Sequence, residues 1–121
     1  MGVDLDLLPF GDELGTPDFS KTVLDVGRFS KLFEEIEKLP TEPIPANFES
    51  YVSRDNDKKY QVSHWGPTKE NGYGAPMMCT TARDLLTLAR NEHVRFNPKN
   101  RAVWGYLRNL PRNTKIALYW H

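Results

Sequence analysis

The sequence predicts an α+β fold: a small single domain over residues 1–121, with an antiparallel sheet of about four to five strands and about three helices packed on one of its faces. Three observations predict it. Apolar residues recur at helical spacing in three separate segments, and short runs of alternating or β-branched and aromatic residues flank them. The strand-like runs are joined by turn chemistry, without the regular strand–helix–strand crossovers of a doubly wound sheet.

In chain order, Val3, Leu5 and Leu7 alternate with Asp4 and Asp6 and predict a half-buried strand over 3–8 that ends at Pro9. Residues 10–20 carry Gly, Pro and unperiodic acids and read as a loop. Lys21 to Val26 predicts a second short strand, ended by Gly27. Phe29, Leu32, Phe33, Ile36 and Leu39 then form one apolar helical stripe, with Ser30, Lys31, Glu34, Glu35 and Lys38 on the wet side and Pro40 as the stop. The proline-rich stretch 41–47 predicts an extended connector.

Phe48 to Arg54 and Lys58 to His64 predict a hairpin turning at Asp55-Asn56-Asp57. Residues 65–78 show no period and read as a long loop, a length at which function or mobility is expected. Thr81 with Asp84 resembles a capping box and opens a helix whose buried face is Ala82, Leu85, Leu86 and Ala89. Asn97-Pro98 opens the third helix, with a core stripe of Ala102, Val103, Tyr106, Leu107 and Leu110, and Pro111 ends it. Thr114 to His121 is a closing strand, which must be tied into a sheet to avoid fraying. The order is β-β-α-β-β-α-α-β.

Composition bounds the function. With 39% hydrophobic and 26% charged residues the profile is that of a globular domain. No apolar run approaches the roughly 20 residues that span a bilayer, and the acidic start at Asp4 and Asp6 is unlike a secretory signal. The lone Cys79 leaves no intrachain disulfide and predicts a reducing compartment, the cytoplasm. Sixteen Lys and Arg balance sixteen Asp and Glu, which argues against a dedicated nucleic-acid binder. The distribution is uneven: residues 1–50 carry a net −7 and residues 79–121 a net +6. Either the two parts fold against each other with interleaved charges, or they leave surfaces suited to self-association, a homodimer included, or to an anionic ligand.

No catalytic signature stands out. His64, Cys79, His93 and His121 lack ligand spacing, so neither a zinc site nor any other metal or cofactor is expected. Asp4 and Asp6 share a strand face and read either as a magnesium pair or as the solvated face of an edge strand. Cys79 lies just before a helix start, where thiolates are stabilised, yet nothing around it forms a nucleophile motif, and a small buried residue is the expectation. Asn71-Gly72-Tyr73-Gly74 lacks the ending of a phosphate loop, so its glycines are assigned to turns.

The unusual surface is on the third helix. Arg101, Trp104 and Arg108 stand at i, i+3 and i+7, offset from the core stripe, and Arg112 follows. A Trp between two guanidinium groups can stack on a ring while the arginines pair with phosphate or carboxylate. The alternative is that Trp104 packs inward and the arginines pair with acids of the N-terminal half. His64, Trp65 and Tyr73 are candidates to line the same site.

Tyr73-Gly74-Ala75-Pro76, Thr81-Ala82-Arg83-Asp84-Leu85, Asn100-Arg101-Ala102 through Tyr106-Leu107 to Leu110-Pro111, and Ala117-Leu118-Tyr119-Trp120-His121 resemble a group of small proteins of phages and bacterial prophage regions. The likeness covers about the C-terminal half and the Met1-Gly-Val-Asp-Leu start. It implies an accessory protein that binds and blocks a host component; it attaches no activity, so it assigns no functional residue. The expectation is therefore a non-enzymatic binding module directed at a host (defence) protein or a small anionic or nucleotide ligand. A small enzyme acting on a phosphorylated or nucleotide substrate, with His64 as general acid/base, and a structural homo-oligomer are the alternatives.

Overall fold

The computed structural model describes residues 3–57 and 60–121; for 52–57 and 60–64 it describes strand pairing but not side chains. The alternation of the first strand runs further than its proline suggests. β1 (Leu5–Phe10) continues through Pro9 and pairs on one side with β3 (Leu24–Val26) and on the other with β8 (Lys115–Trp120). β8 in turn pairs with β7 (Met78–Thr81), and β7 with the two-residue β4 (Glu42–Pro43). The result is a five-stranded, wholly antiparallel sheet in the order β3-β1-β8-β7-β4, with the closing strand at its centre.

A second, three-stranded sheet is formed by β2 (Phe19–Ser20), β5 (Glu49–Asp57) and β6 (Tyr60–Pro67), β2 lying parallel to β5 and β5 antiparallel to β6. The expected hairpin is present but longer. β5 continues through the Asp55-Asn56-Asp57 segment to a pair between Asp57 and Tyr60, and β6 takes in Trp65, Gly66 and Pro67. The loop expected over 65–78 is thus confined to residues 68–77, between the two sheets' strands.

Three helices cover one face of the large sheet. α1 (Ser30–Glu37) buries Leu32, Phe33 and Ile36, the stripe that its spacing predicts. α2 (Ala82–Thr87) is capped by Thr81, whose hydroxyl accepts the Asp84 N–H at 3.2 Å. It tightens into a 3-10 turn at Leu88–Arg90, which rotates the following residues, so that Leu88 is buried and Ala89, expected in the core, is exposed. α3 (Pro98–Arg108) starts as expected, Asn97 Oδ1 accepting the Asn100 N–H at 2.8 Å.

Because β1 and β8 lie inside the sheet, both of their faces are covered. Leu5, Leu7, Ile116 and Leu118 pack under the helices. Leu8, Phe10, Ala117 and Tyr119 turn the other way, onto Phe48, Met77 and Cys79. Phe48 immediately precedes β5 and sits 4.8 Å from the Phe10 ring, which brings the small sheet against this second face. Among the described residues no helix is long and apolar enough to cross a membrane.

Candidate functional site

The third helix buries a different stripe from the one expected. Asn100, Val103, Trp104 and Leu107 face inward, while Ala102 and Tyr106 are exposed. Trp104 has no accessible surface; its indole N–H donates to the Leu85 carbonyl at 2.9 Å and its ring lies 4.9 Å from Phe96. The expected Arg-Trp-Arg face is therefore corrected to an arginine face without its tryptophan. The helix has rotated toward the larger apolar surface, and an indole that finds a buried carbonyl gives up no hydrogen bond by entering the core. Asn100 is buried for a similar reason. Its side-chain amide accepts the Gly27 N–H at 2.7 Å and donates to the Gly27 carbonyl at 3.1 Å, so α3 is pinned to the end of β3.

What remains outside is a row of guanidinium groups. Arg101, Arg108 and Arg112 are exposed, and among the described residues none has a carboxylate partner. Arg83 joins them at the C-terminal end of the row: its N–H donates to the Arg112 carbonyl at 3.1 Å, and its guanidinium reaches Asn113 Oδ1 at 3.4 Å. The lysines of the same basic third behave otherwise. Lys99 pairs with Asp25 at 2.5 Å and Lys115 with Glu42 at 3.1 Å, both bridges to the acidic N-terminal part. The charge segregation of the sequence is thus partly used in folding and partly left on the surface.

The residues expected to join this face are elsewhere. Trp65 lies on β6 opposite Tyr51, both about half exposed, and packs edge-on against Phe19 at 6.0 Å. Ser20 and Ser50 point the opposite way and are fully buried, so the aromatic trio lies on the outer side of the small sheet, away from α3. Tyr73 is 61% exposed at the tip of the 68–77 loop, where the Asn71 side chain accepts the Tyr73 and Ala75 N–H groups. His64 pairs with Val52 in the hairpin, and its side chain lies outside the described residues.

A cluster that sequence spacing did not reveal forms where the first and last strands meet. Asp6, expected on a solvated edge, is buried on an inner strand, with Oδ2 3.2 Å from Nε2 of His121. The Asp6 carboxylate raises the His121 imidazole above its ordinary value of 6.5, with burial opposing. Asp4 receives two hydrogen bonds from Arg28, at 2.6 and 2.9 Å, which lower its carboxyl below the ordinary value. His121 also exchanges both backbone hydrogen bonds with Asp4, and the loop closes over it through Gly72 N–H to the Trp120 carbonyl at 2.7 Å. A Cβ on Gly72 would stand 2.6 Å from the His121 Cβ, so this approach requires glycine. The signal was hidden because Asp6 and His121 are 115 positions apart and meet only through strand register.

Cys79 is buried and its thiol is pushed up to about 11, chiefly by burial and then by Glu42, which leaves it in the unreactive form. Among the described residues no three His, Cys, Asp or Glu side chains converge as a metal site. A cavity of about 230 Å³ opens on the helix-covered side of the sheet, lined by Ile36, Thr41, Asn71, Met78, Leu118 and Trp120 among others; neither Asp6 nor His121 lines it. Comparisons with protein-family models, curated proteins and solved structures find no match to this chain.

Proposed function

We propose that the protein is a non-enzymatic binding module whose contact surface is the arginine-bearing outer side of α3. In the phage or prophage setting that its motifs resemble, it would act by occupying a host (defence) protein or by sequestering a small anionic or nucleotide ligand. One observation carries the reading: Arg101, Arg108 and Arg112 are exposed without a carboxylate partner among the described residues, although the chain holds as many acids as bases. Folding pairs Lys99 with Asp25 and Lys115 with Glu42, and among the described residues it makes no such use of these arginines. Arginine is also the cation best suited to bidentate pairing with carboxylate or phosphate.

Native mass spectrometry of the protein purified from a bacterial host tests this, since it reports oligomer, partner and retained ligand together. The expected result is a complex that disappears in the triple variant Arg101→Glu/Arg108→Glu/Arg112→Glu. A bare monomer for the wild type at low salt, or a complex indifferent to the triple variant, overturns the reading. A mass of two identical chains would make the partner a second copy, which the opposite net charges of the two ends favour.

The enzyme reading has one observation in its favour, the approach of His121 Nε2 to the Asp6 carboxylate at 3.2 Å, a charge pairing that can hold a proton. His121 replaces His64 in that reading. If any phosphorylated substrate is turned over, His121→Gln should abolish it, and full retention removes the idea.

A further inference from the structure

α3 contains a glycine that the fold does not explain. Gly105 is the eighth residue of an eleven-residue helix, its backbone has no positive φ, and a Cβ built on it would meet nothing within 4 Å. A mid-helix glycine lowers helix stability relative to alanine because it surrenders more backbone freedom on folding. Of the other described glycines, Gly11, Gly15 and Gly74 have positive φ, and Gly27 and Gly72 are approached closely by Asn100 and His121. Gly66, on β6, and Gly105 have neither reason, and Gly105 alone of these two stands in a helix.

Its position on the helix suggests what the missing side chain makes room for. Arg101, Gly105 and Arg108 stand at i, i+4 and i+7 and form one row on the surface, the two arginines rooted about 10 Å apart along the axis with no side chain at Gly105 between them. Tyr106, 42% exposed, and Ala102 lie to one side of Gly105, and the Asn109 side chain folds back to donate to its carbonyl at 2.8 Å. The outer face of α3 between Arg101 and Arg108 therefore presents Arg, Tyr and small residues, and no Lys, Asp or Glu. That is the composition of an interface centre rather than of an ordinary wet helix face.

We propose that this row seats an acidic α-helix of a partner protein. A facing helix has the same rise, so carboxylates at its own i and i+7 positions meet Arg101 and Arg108 together. An apolar side chain between them drops into the space above Gly105, which lets the two axes approach to the roughly 8–10 Å of packed helices. A nucleic acid fits less well. The row offers only about three phosphate contacts, and the net −7 of the first fifty residues repels a polyanion.

The inference rests on the arginine face being the contact surface, and the test separates the two. The probe is a synthetic alanine-rich helical peptide with Glu at i and i+7 and Leu at i+4, titrated by NMR against the full chain. Its Gln counterpart and a twelve-base-pair DNA duplex serve as comparisons. The expected result is saturable binding of the Glu peptide that shifts α3 amides, at least about tenfold weaker for the Gln peptide. Gly105→Gln should weaken it at least about tenfold while the melting temperature holds or rises, and Arg108→Glu should weaken it similarly, with recovery on a Lys-bearing peptide. Wild-type binding by Gly105→Gln overturns the seat but leaves the arginine face in place. Tighter binding of the duplex through the same arginines overturns the partner class. Absence of peptide binding overturns the proposal, and if neither probe responds to reversal of Arg101 and Arg108, the arginine face falls with it.

Discussion

The two faces of the central sheet are closed by different means. Under the helices lies a broad apolar cluster from β1, β3, β8 and all three helices, organised around one fully buried indole. On the other face a smaller cluster of Leu8, Phe10, Phe48, Met77, Cys79, Ala117 and Tyr119 gives way, toward the Asp4 end of β1, to charged groups: Asp6 against His121 and Asp4 against Arg28. Burial of apolar area is non-directional and tolerates small shifts. The polar end depends on register and close approach, because an ion pair or a glycine contact works in only one alignment. The helical side supplies stability, and the polar side fixes how the first and last strands meet.

The sharpest way to break this contrast is to remove the indole. Trp104→Ala deletes the largest fully buried side chain and removes the indole N–H from the Leu85 carbonyl, which keeps the Leu88 backbone N–H. The expected cost is about 3–5 kcal/mol, the range for large aromatic truncations, read as a lowered urea midpoint. Unchanged stability would mean that the helices are held by something other than this core. On the polar side, Gly72→Ala forces a methyl group to within 2.6 Å of the His121 Cβ and 2.9 Å of its Cα. Backbone cannot move aside cheaply, so about 1–3 kcal/mol is expected, together with faster amide exchange at Gly72, whose N–H is bonded to the Trp120 carbonyl.

These two sites also differ in how legible they were. The α+β class, the helix caps at Thr81 and Asn97, the α1 stripe and the closing strand follow from local chemistry, and local chemistry decides them. The face of α3 is not decided by its own period, because Ala102 and Tyr106 fit that period as well as Trp104 and Asn100 do. The choice depends on Leu85 and Gly27, which lie far off in sequence. β2, β4 and β7 are only two to four residues long, too short to show a period, and exist through their neighbours. The Asp6–His121 pair depends on register between the first and last strands. The arginines of the expected site were readable as unusual; that they stand apart from Trp104, Trp65 and Tyr73 was not.

The polar side should also be the one that senses pH. Since Asp6 raises the His121 value in the folded chain, the contribution is complete below the unfolded value near 6.5 and is lost as pH rises through the higher folded value. The folded chain should therefore lose stability gradually as pH rises above 6.5, and the imidazole resonance of His121 should titrate above 6.5. Asp6→Asn should return that titration toward the ordinary value and flatten the profile. A His121 that titrates below 6.5 in the wild type would show that desolvation outweighs the carboxylate. The helical side, whose cluster is apolar, should be indifferent over the same range.

The smallest effect, and the one most telling for function, is expected on the outside of α3. Gly105→Ala places a methyl group in open space on a helix of ordinary geometry, so nothing in the fold opposes it. The gain should be about 0.5–1 kcal/mol, the intrinsic difference between the two residues in a helix interior, visible as a slightly raised urea midpoint. Gly72→Ala and Gly105→Ala are the same chemical change with opposite expected signs, because one glycine is approached by the chain itself and the other is not. If Gly105→Ala destabilised, an unrecognised internal contact would account for the glycine and the helix seat would lose its basis. If it stabilises, the chain is less stable as it stands than it need be, at a half-buried point between two exposed arginines without carboxylate partners among the described residues. Folding gives no reason for that sacrifice, whereas recognition of a partner does.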